Sequence, residues 1–403
     1  MAVFPERGMF GGPVGLQTLG EDTLFTVEAL CTAWKRLAPD GRLAFNVWLD
    51  APLRHAPRVV DLVGQTLRSE GIAVPGDHAA IVRGWGSLTL IVGRTPLGPE
   101  ARAAIAAFAG QKGFDVLWPP GTAARVHGTD DTLDRLLSAL LGPDPAPALD
   151  AYRLDVRAPT DDRPFFNQFL RWGKRDAGLD FLSVSERGLD FLQVLVALLC
   201  VAALVLVLGP LLPLRTSPLR TPFTVLYFTG LGAGFIFLEI ELIQRLTLLW
   251  SNPILSAALV IAALMCGMGI GSAASHRFPA TPRVLALLTL GIAVLQAVLL
   301  VVLGRAVPSL LAASAAVRFG GGIAFLVLCA IPLGMPFPLG LRLLADRDPR
   351  QVPWACGIDG AWAVIAAPGA ALIAFMAGFS SLALAAAASY LLAALGAVAA
   401  GRK

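Results

Sequence analysis

From Phe191 onward the chain is a succession of apolar runs, each about as long as a bilayer is thick. A hydrocarbon core of about 30 Å takes about 20 consecutive apolar residues in an α-helix. About seven stretches meet that length: Phe191–Leu214, Phe223–Ile243, Ile254–Ala273, Val284–Gly304, Phe319–Leu339, Trp354–Ala377 and Ser381–Ala400. No water reaches a backbone at that depth, so only helices and closed barrels satisfy every N–H and C=O group. These runs are too long and too little alternating for barrel strands. The expectation is a multi-pass α-helical membrane bundle of about seven helices over 191–403.

The first half has a different solvent. Charged residues are 15% of the whole chain, against roughly 25% in ordinary globular proteins, and most of them precede residue 190. Residues 22–37 have Leu24, Val27, Leu30 and Trp34 at helical spacing, and 42–49 alternate like a strand. A helix at 58–69, strands at 79–83 and 87–92 around Gly84-Trp85-Gly86, a helix at 100–111 and a strand at 114–118 complete an α/β pattern. Gly142–Pro147, with three prolines, reads as a linker. The predicted organisation is 1–150 as an α/β domain, 151–190 as linker and interfacial segment, and 191–403 as the transmembrane domain. Within the middle segment Phe165, Phe166, Phe169, Leu170 and Trp172 stand among Arg163, Arg171, Lys174 and Arg175. That mixture suits a bilayer interface, with an amphipathic helix on the soluble domain as the alternative.

Several functional classes drop out. The net charge is +4 and the pI near 9.0, yet no Lys/Arg stripe interleaved with aromatics signals nucleic acid. Cys31, Cys200, Cys266, Cys329 and Cys356 lack metal or disulfide spacing, His55, His78, His127 and His276 are scattered, and no metal site is expected. Residues 1–7 have no apolar h-region, so no signal peptide is expected.

Polar residues inside apolar runs carry the functional signal. Glu239, Glu241, Gln244 and Arg245 lie within or at the end of one spanning segment. A charge at mid-bilayer costs at least ~2.5 kcal/mol, so it must pair, face a cavity or lie near the interface. Glu241 and Arg245 are i,i+4 partners. Glu239, about 200° from Glu241 around the helix, must look elsewhere, toward Arg318 or the helix of Asp359. Asp359 lies near the start of another span, where helix capping competes with a ligand role. Together these residues could form a proton, cation or polyamine site, or an interfacial polar cluster that fixes helix orientation. Gly334-Met-Pro336-Phe-Pro338-Leu-Gly340 must distort its helix. Gly230/Gly234 and Gly267/Gly271 have the small-xxx-small spacing of close helix packing rather than of a phosphate loop. Asp162 and Arg163 form either a charged turn or a substrate contact.

Several motifs resemble the membrane-bound spermidine-synthase-like family, which joins a Rossmann-type S-adenosylmethionine-dependent aminopropyl- or methyltransferase domain to hydrophobic helices. In the first half they are Glu21–Leu30, Leu37–Trp48, Val82-Arg-Gly-Trp85-Gly and Asp162-Arg-Pro-Phe-Phe166. In the membrane half they are the runs 234–245, 334–340 and 354–360. The resemblance implies that the α/β part is the second half of a Rossmann-like sheet. The strand–GxGxG–helix, the ribose carboxylate and the catalytic Asp would all precede Asp22, and the chain opens near that catalytic loop, at Gly11–Gly15. The expectation is therefore a truncated relative with no catalytic residue assigned and no cofactor bound. The intact family would use S-adenosylmethionine or its decarboxylated form. The alternative is a polytopic transporter or membrane scaffold built on the intramembrane polar site. Expected partners are the lipid bilayer and a polyamine or other small molecule, not nucleic acid. Basic connectors (Arg215, Arg220; Arg277, Arg283; Arg342, Arg347, Arg350; Arg402, Lys403) would face the cytoplasm. Seven full crossings would then put the α/β part outside. The family's cofactor argues instead for a cytoplasmic α/β part at the plasma (inner) membrane, with one early segment re-entrant or interfacial.

Overall fold

The computed structural model describes residues 2–7, 20–121, 125–128, 130–171, 188–211, 222–311 and 313–401. Gly11–Gly15, Trp172, Lys174, Arg175, Arg215, Arg220, Arg402 and Lys403 lie outside them. The chain forms two compact units, Met1–Leu189 and Asp190–Lys403.

The first unit is built on a five-stranded sheet, ordered β1-β2-β4-β3-β5. Its strands are β1 (Ala2–Arg7), β2 (Arg42–Trp48), β3 (Ala79–Arg83), β4 (Ser87–Gly93) and β5 (Asp115–Trp118). Only β1 and β2 are parallel; every other pairing is antiparallel. Helix α1 (Val27–Lys35) lies between the parallel strands, as a parallel crossover requires. Gly84–Gly86 is too short for a crossover, so β3 and β4 form a hairpin instead.

Alternation along the strands gives the sheet two faces. Leu43, Phe45, Val47, Leu88, Leu90, Val92 and Ile81 form one core with α1, α2 (His55–Ser69) and α4 (Asp131–Leu140). On the other face α3 (Pro99–Lys112) places Ala109 against Val82 and Val116. The Thr26 hydroxyl caps α1 by accepting the Ala29 N–H at 3.2 Å. That shortens the helix expected from residue 22 and leaves Leu24 exposed. Residues 142–147 are no linker. They turn α4 into α5 (Ala146–Ala151) within the unit, and Arg68 donates to the Leu140 and Gly142 carbonyls at 2.6 and 2.7 Å, serving acceptors a helix end leaves open.

The aromatic stretch after α5 is core. Leu154, Val156, Phe166 and Phe169 join the same hydrophobic cluster. Arg58 of α2, 3% exposed, donates to the carbonyls of Phe165, Phe166 and Asp155 and stacks 4.4 Å from the Phe169 ring centre. The described part of the stretch expected at the bilayer interface is instead a strap that completes the α/β core, because a buried guanidinium needs several carbonyls and the strap supplies them. Burial lowers the Arg58 pKa to about 10.

The second unit contains seven helical spans long and apolar enough to cross a membrane: Gly188–Leu211, Pro222–Trp250, Pro253–Arg277, Pro282–Val307, Val317–Arg347, Pro349–Ala377 and Phe379–Gly401. Their α-helical parts are α6 (Gly188–Ala202), α7 (Pro222–Trp250), α8 (Pro253–Ala274), α9 (Pro282–Leu310), α10 (Gly322–Ala330), α11 (Pro336–Arg347), α12 (Val352–Ala377) and α13 (Phe379–Gly401). Helix α7 sits centrally, packed on α13, α12, α8 and α9. Leu206, Leu287, Leu328 and Leu395 point outward, each more than 60% exposed, a surface that water would not tolerate at this density. Residues 188–211 do not stay α-helical throughout: a π-helical stretch at Ala203–Leu208 follows α6.

Asp61 of α2 is fully buried and accepts the Ala158 N–H at 2.7 Å and the Gln65 amide at 3.1 Å. Burial lifts its pKa from 3.8 to about 6 despite these donors. The folded state therefore binds the proton more tightly than the unfolded state, so this carboxyl costs stability above about pH 6, and the cost fades as the pH falls toward the unfolded value. Asp61→Asn should stabilise the α/β unit at pH 7.5 by on the order of 2 kcal/mol and give no advantage near pH 4. Thermal unfolding of both proteins in detergent at the two pH values checks this.

Candidate functional site

Two outer glycines of each GxGxG run seat neighbouring helices. A Cβ on Gly230 would collide with Ser389 and Ala393 of α13, and one on Gly267 with Val327 and Ala330 of α10. Gly234 lies against Tyr390, and Gly271 against Ile331. These are the close approaches expected of small-xxx-small spacing. The middle glycines behave differently. Gly232 touches Asp359 and Trp362 of α12, with its Cβ position 3.2 Å from Asp359 Oδ1, while Gly269 has nothing within 4 Å.

Both middle glycines line a cavity of about 520 Å³ among the helices, open to the outside where Met265, Gly269 and Ser272 are exposed. Its walls come from five spans: Leu231, Phe235 and Ile236 of α7; Met265, Met268 and Ser272 of α8; Leu333, Gly334, Phe337 and Pro338 around the break between α10 and α11; Asp359 and Ala363 of α12; and Tyr390 of α13. The break occurs at Pro332–Gly334, one turn before the proline motif singled out from sequence. Pro336 and Pro338 fall in the first turn of α11, where a missing N–H is tolerated. Pro332 does the interrupting.

Asp359 lies two turns inside α12, which starts at Val352. The helix dipole acts within the first turn, so capping does not account for this carboxylate. Among the described residues it has no hydrogen-bond or ion-pair partner.

The Glu239–Arg245 cluster is a separate feature. Arg245 Nε donates to Glu241 Oε1, and the Glu241 side chain is fully buried. The other side of this pair is Gly304 of α9, whose Cβ position lies 3.8 Å from Arg245. Glu241 is nine residues beyond Gly232, about 13 Å along the helix axis, so Asp359 and the ion pair are not one site. Glu239 is half-buried and continues the Gly232–Phe235–Ile236 stripe one turn past the cavity. It makes no ion pair with Arg318 among the described residues; the Arg318 carbonyl accepts from Trp250 Nε1 at 3.0 Å. Gln244 is half-buried beside the pair.

In the α/β unit, Arg163 N–H donates to the Thr160 carbonyl at 2.9 Å, and its guanidinium lies 3.4 Å from Asp155. Asp162 and Arg163 lie in a turn. A cleft of about 480 Å³ lies between Trp48, Trp85 and Phe114, floored by Asn46 and Thr89. Trp85 is 91% exposed at the hairpin tip. Asp50 is held below its ordinary pKa despite burial, by His55 at 2.6 Å and Arg54 at 3.0 Å. Asp115 is likewise held low against burial, by N–H donors of Val126 and His127. Among the described residues no three His, Cys, Asp or Glu side chains converge as metal ligands.

Fold and cavity define a two-unit chain: a small mixed α/β unit and a helical bundle of membrane-spanning length, whose apolar cavity holds one carboxylate. Comparison with protein-family models, curated proteins and solved structures finds no match.

Breaking the buried pair should be costly. Glu241→Gln leaves the Arg245 charge without its carboxylate and should destabilise the bundle by about 3–5 kcal/mol, whereas Glu241→Leu with Arg245→Leu should recover most of that. Melting temperatures in a single detergent would show the difference.

Proposed function

We propose that the chain is a membrane-bound relative of the spermidine-synthase-like transferases, whose parent activity moves an aminopropyl or methyl group from an S-adenosylmethionine derivative. The observation that carries this reading is the β1–α1–β2 unit, two parallel strands around a helix, as in doubly wound sheets. A second observation supports it. Doubly wound sheets carry helices on both faces, yet Asn46, Ser87 and Thr89 are only half-buried and Trp48 is exposed. β1 is also an edge strand. A half-sheet would leave such a face and edge open. Among the described residues no strand–GxGxG–helix occurs in the α/β unit.

Arg277, Arg283, Arg342, Arg347 and Arg350 gather at one end of the bundle, where Arg342 donates to the Ser275 carbonyl and Arg347 to that of Ala400, both at 2.6 Å. We assign that end to the cytoplasm of the plasma (inner) membrane by the positive-inside rule. The α/β part is also proposed to be cytoplasmic, which requires Gly188–Leu211 to lie in the interface rather than cross.

A second reading, a transporter or membrane scaffold, is favoured by the unpartnered Asp359 carboxylate in its cavity. Glu239, Glu241, Gln244 and Arg245 are then structural neighbours of that site, and a polyamine or other small molecule is its ligand.

Calorimetry with the purified chain should show no binding of S-adenosylmethionine or its decarboxylated form at micromolar concentration; micromolar affinity would contradict this expectation. For topology, a single cysteine at Asp40, in a background lacking the five native ones, should react with impermeant maleimide only in inside-out vesicles. Labelling in right-side-out vesicles would place the α/β part outside.

A further inference from the structure

Every polar group reaching the Asp359 cavity is an acceptor or can act as one. The Asp359 carboxylate and the hydroxyls of Ser272 and Tyr390 line it, and no Lys, Arg or His does. Gly334 of the helix break also lines it, and the N–H that would serve its carbonyl in a regular helix belongs to Pro338, which has none. A cavity with a carboxylate, two hydroxyls and no cationic side chain, in an apolar bundle, calls for a ligand that brings positive charge.

The remaining walls narrow the class. Phe235, Phe337, Met265 and Met268 present ring faces and thioethers, which attract a diffuse organic cation. A hard metal ion would require about six oxygen ligands, far more than this wall supplies. A polyamine would bring several charges to a single carboxylate, with Glu239 a turn outside the lining. At about 520 Å³ the volume suits a small organic molecule.

We propose that this cavity binds a lipophilic monovalent organic cation, with the Asp359 carboxylate as its counter-ion. The proposal deepens the second reading above by naming the ligand class, and rests on the same carboxylate.

The test uses the full purified chain in detergent, with tetraphenylphosphonium as probe and equilibrium dialysis as readout. Saturable binding at one site is expected. Asp359→Asn should weaken it about tenfold or more, Asp359→Glu should retain it, and Glu239→Gln should leave it unchanged. Gly269→Leu should weaken it, since Gly269 forms part of the wall and a Cβ there meets no protein atom within 4 Å, leaving room for the added side chain to compete with the ligand. Triphenylphosphine oxide, of similar shape and no charge, should bind about tenfold more weakly. That comparison on the unaltered protein decides the matter if Asp359→Asn fails to fold. Three results would overturn the proposal: Asp359→Asn binding as tightly as the parent, the neutral probe matching the cation, or spermidine saturating the site in place of tetraphenylphosphonium. Proteoliposome uptake separates the two levels: binding without uptake removes transport and leaves the cation site standing.

Discussion

In hydrocarbon, a backbone N–H or C=O that finds no partner inside the protein finds none at all. That constraint arranges the second unit. Pro222, Pro253, Pro282, Pro336 and Pro353 all stand in the first turn of their helices, where an N–H has no helical acceptor in any case. Pro368, inside α12, and Pro332 depart from this pattern. Pro332 splits one span into α10 and α11, and irregular backbone at such depth is tolerated where it lines a cavity. The cavity beside Asp359 lies at that break. Gly334, in the break, packs against the backbone of Met268, so the interruption is held by contact with α8.

The α/β unit answers to a different solvent but a similar rule. Arg58 is buried, and its guanidinium is satisfied by carbonyls about a hundred positions away in sequence. One side chain thereby fastens the strap 152–169 over α2. Asp61, one turn further along the same helix, does likewise with the Ala158 N–H. The strap is part of the domain, and the domain ends well beyond the Pro-rich stretch at 142–147.

The spans were legible from sequence because hydropathy over about 20 residues is a one-dimensional property, and the Glu241–Arg245 pair because i,i+4 spacing is local. The strands and helices of the first half were legible from periodicity, apart from α4, α5 and β1, whose residues Ala2–Arg7 precede a glycine-rich stretch that reads as loop. The strap was not. Phe165, Phe166 and Phe169 beside Arg163 and Arg171 have the composition of a bilayer interface, and only the position of Arg58 in three dimensions distinguishes a core strap from a lipid anchor. The cavity was hidden for the same reason: Ser272, Tyr390 and Met265 come from separate helices, and nothing in the local sequence joins them. A partial signal existed in the glycines. In each GxGxG run the outer pair packs helices and the middle residue lines the cavity, Gly232 while also packing on α12, a distinction that spacing alone does not reveal.

Alkaline carbonate extraction of membranes containing the full chain tests the central claim most directly. Helices whose outward faces carry Leu206, Leu287, Leu328 and Leu395 should keep the protein in the pellet, and detergent alone should release it. Recovery of a monodisperse protein in the carbonate supernatant would contradict a bundle that has lipid as its solvent.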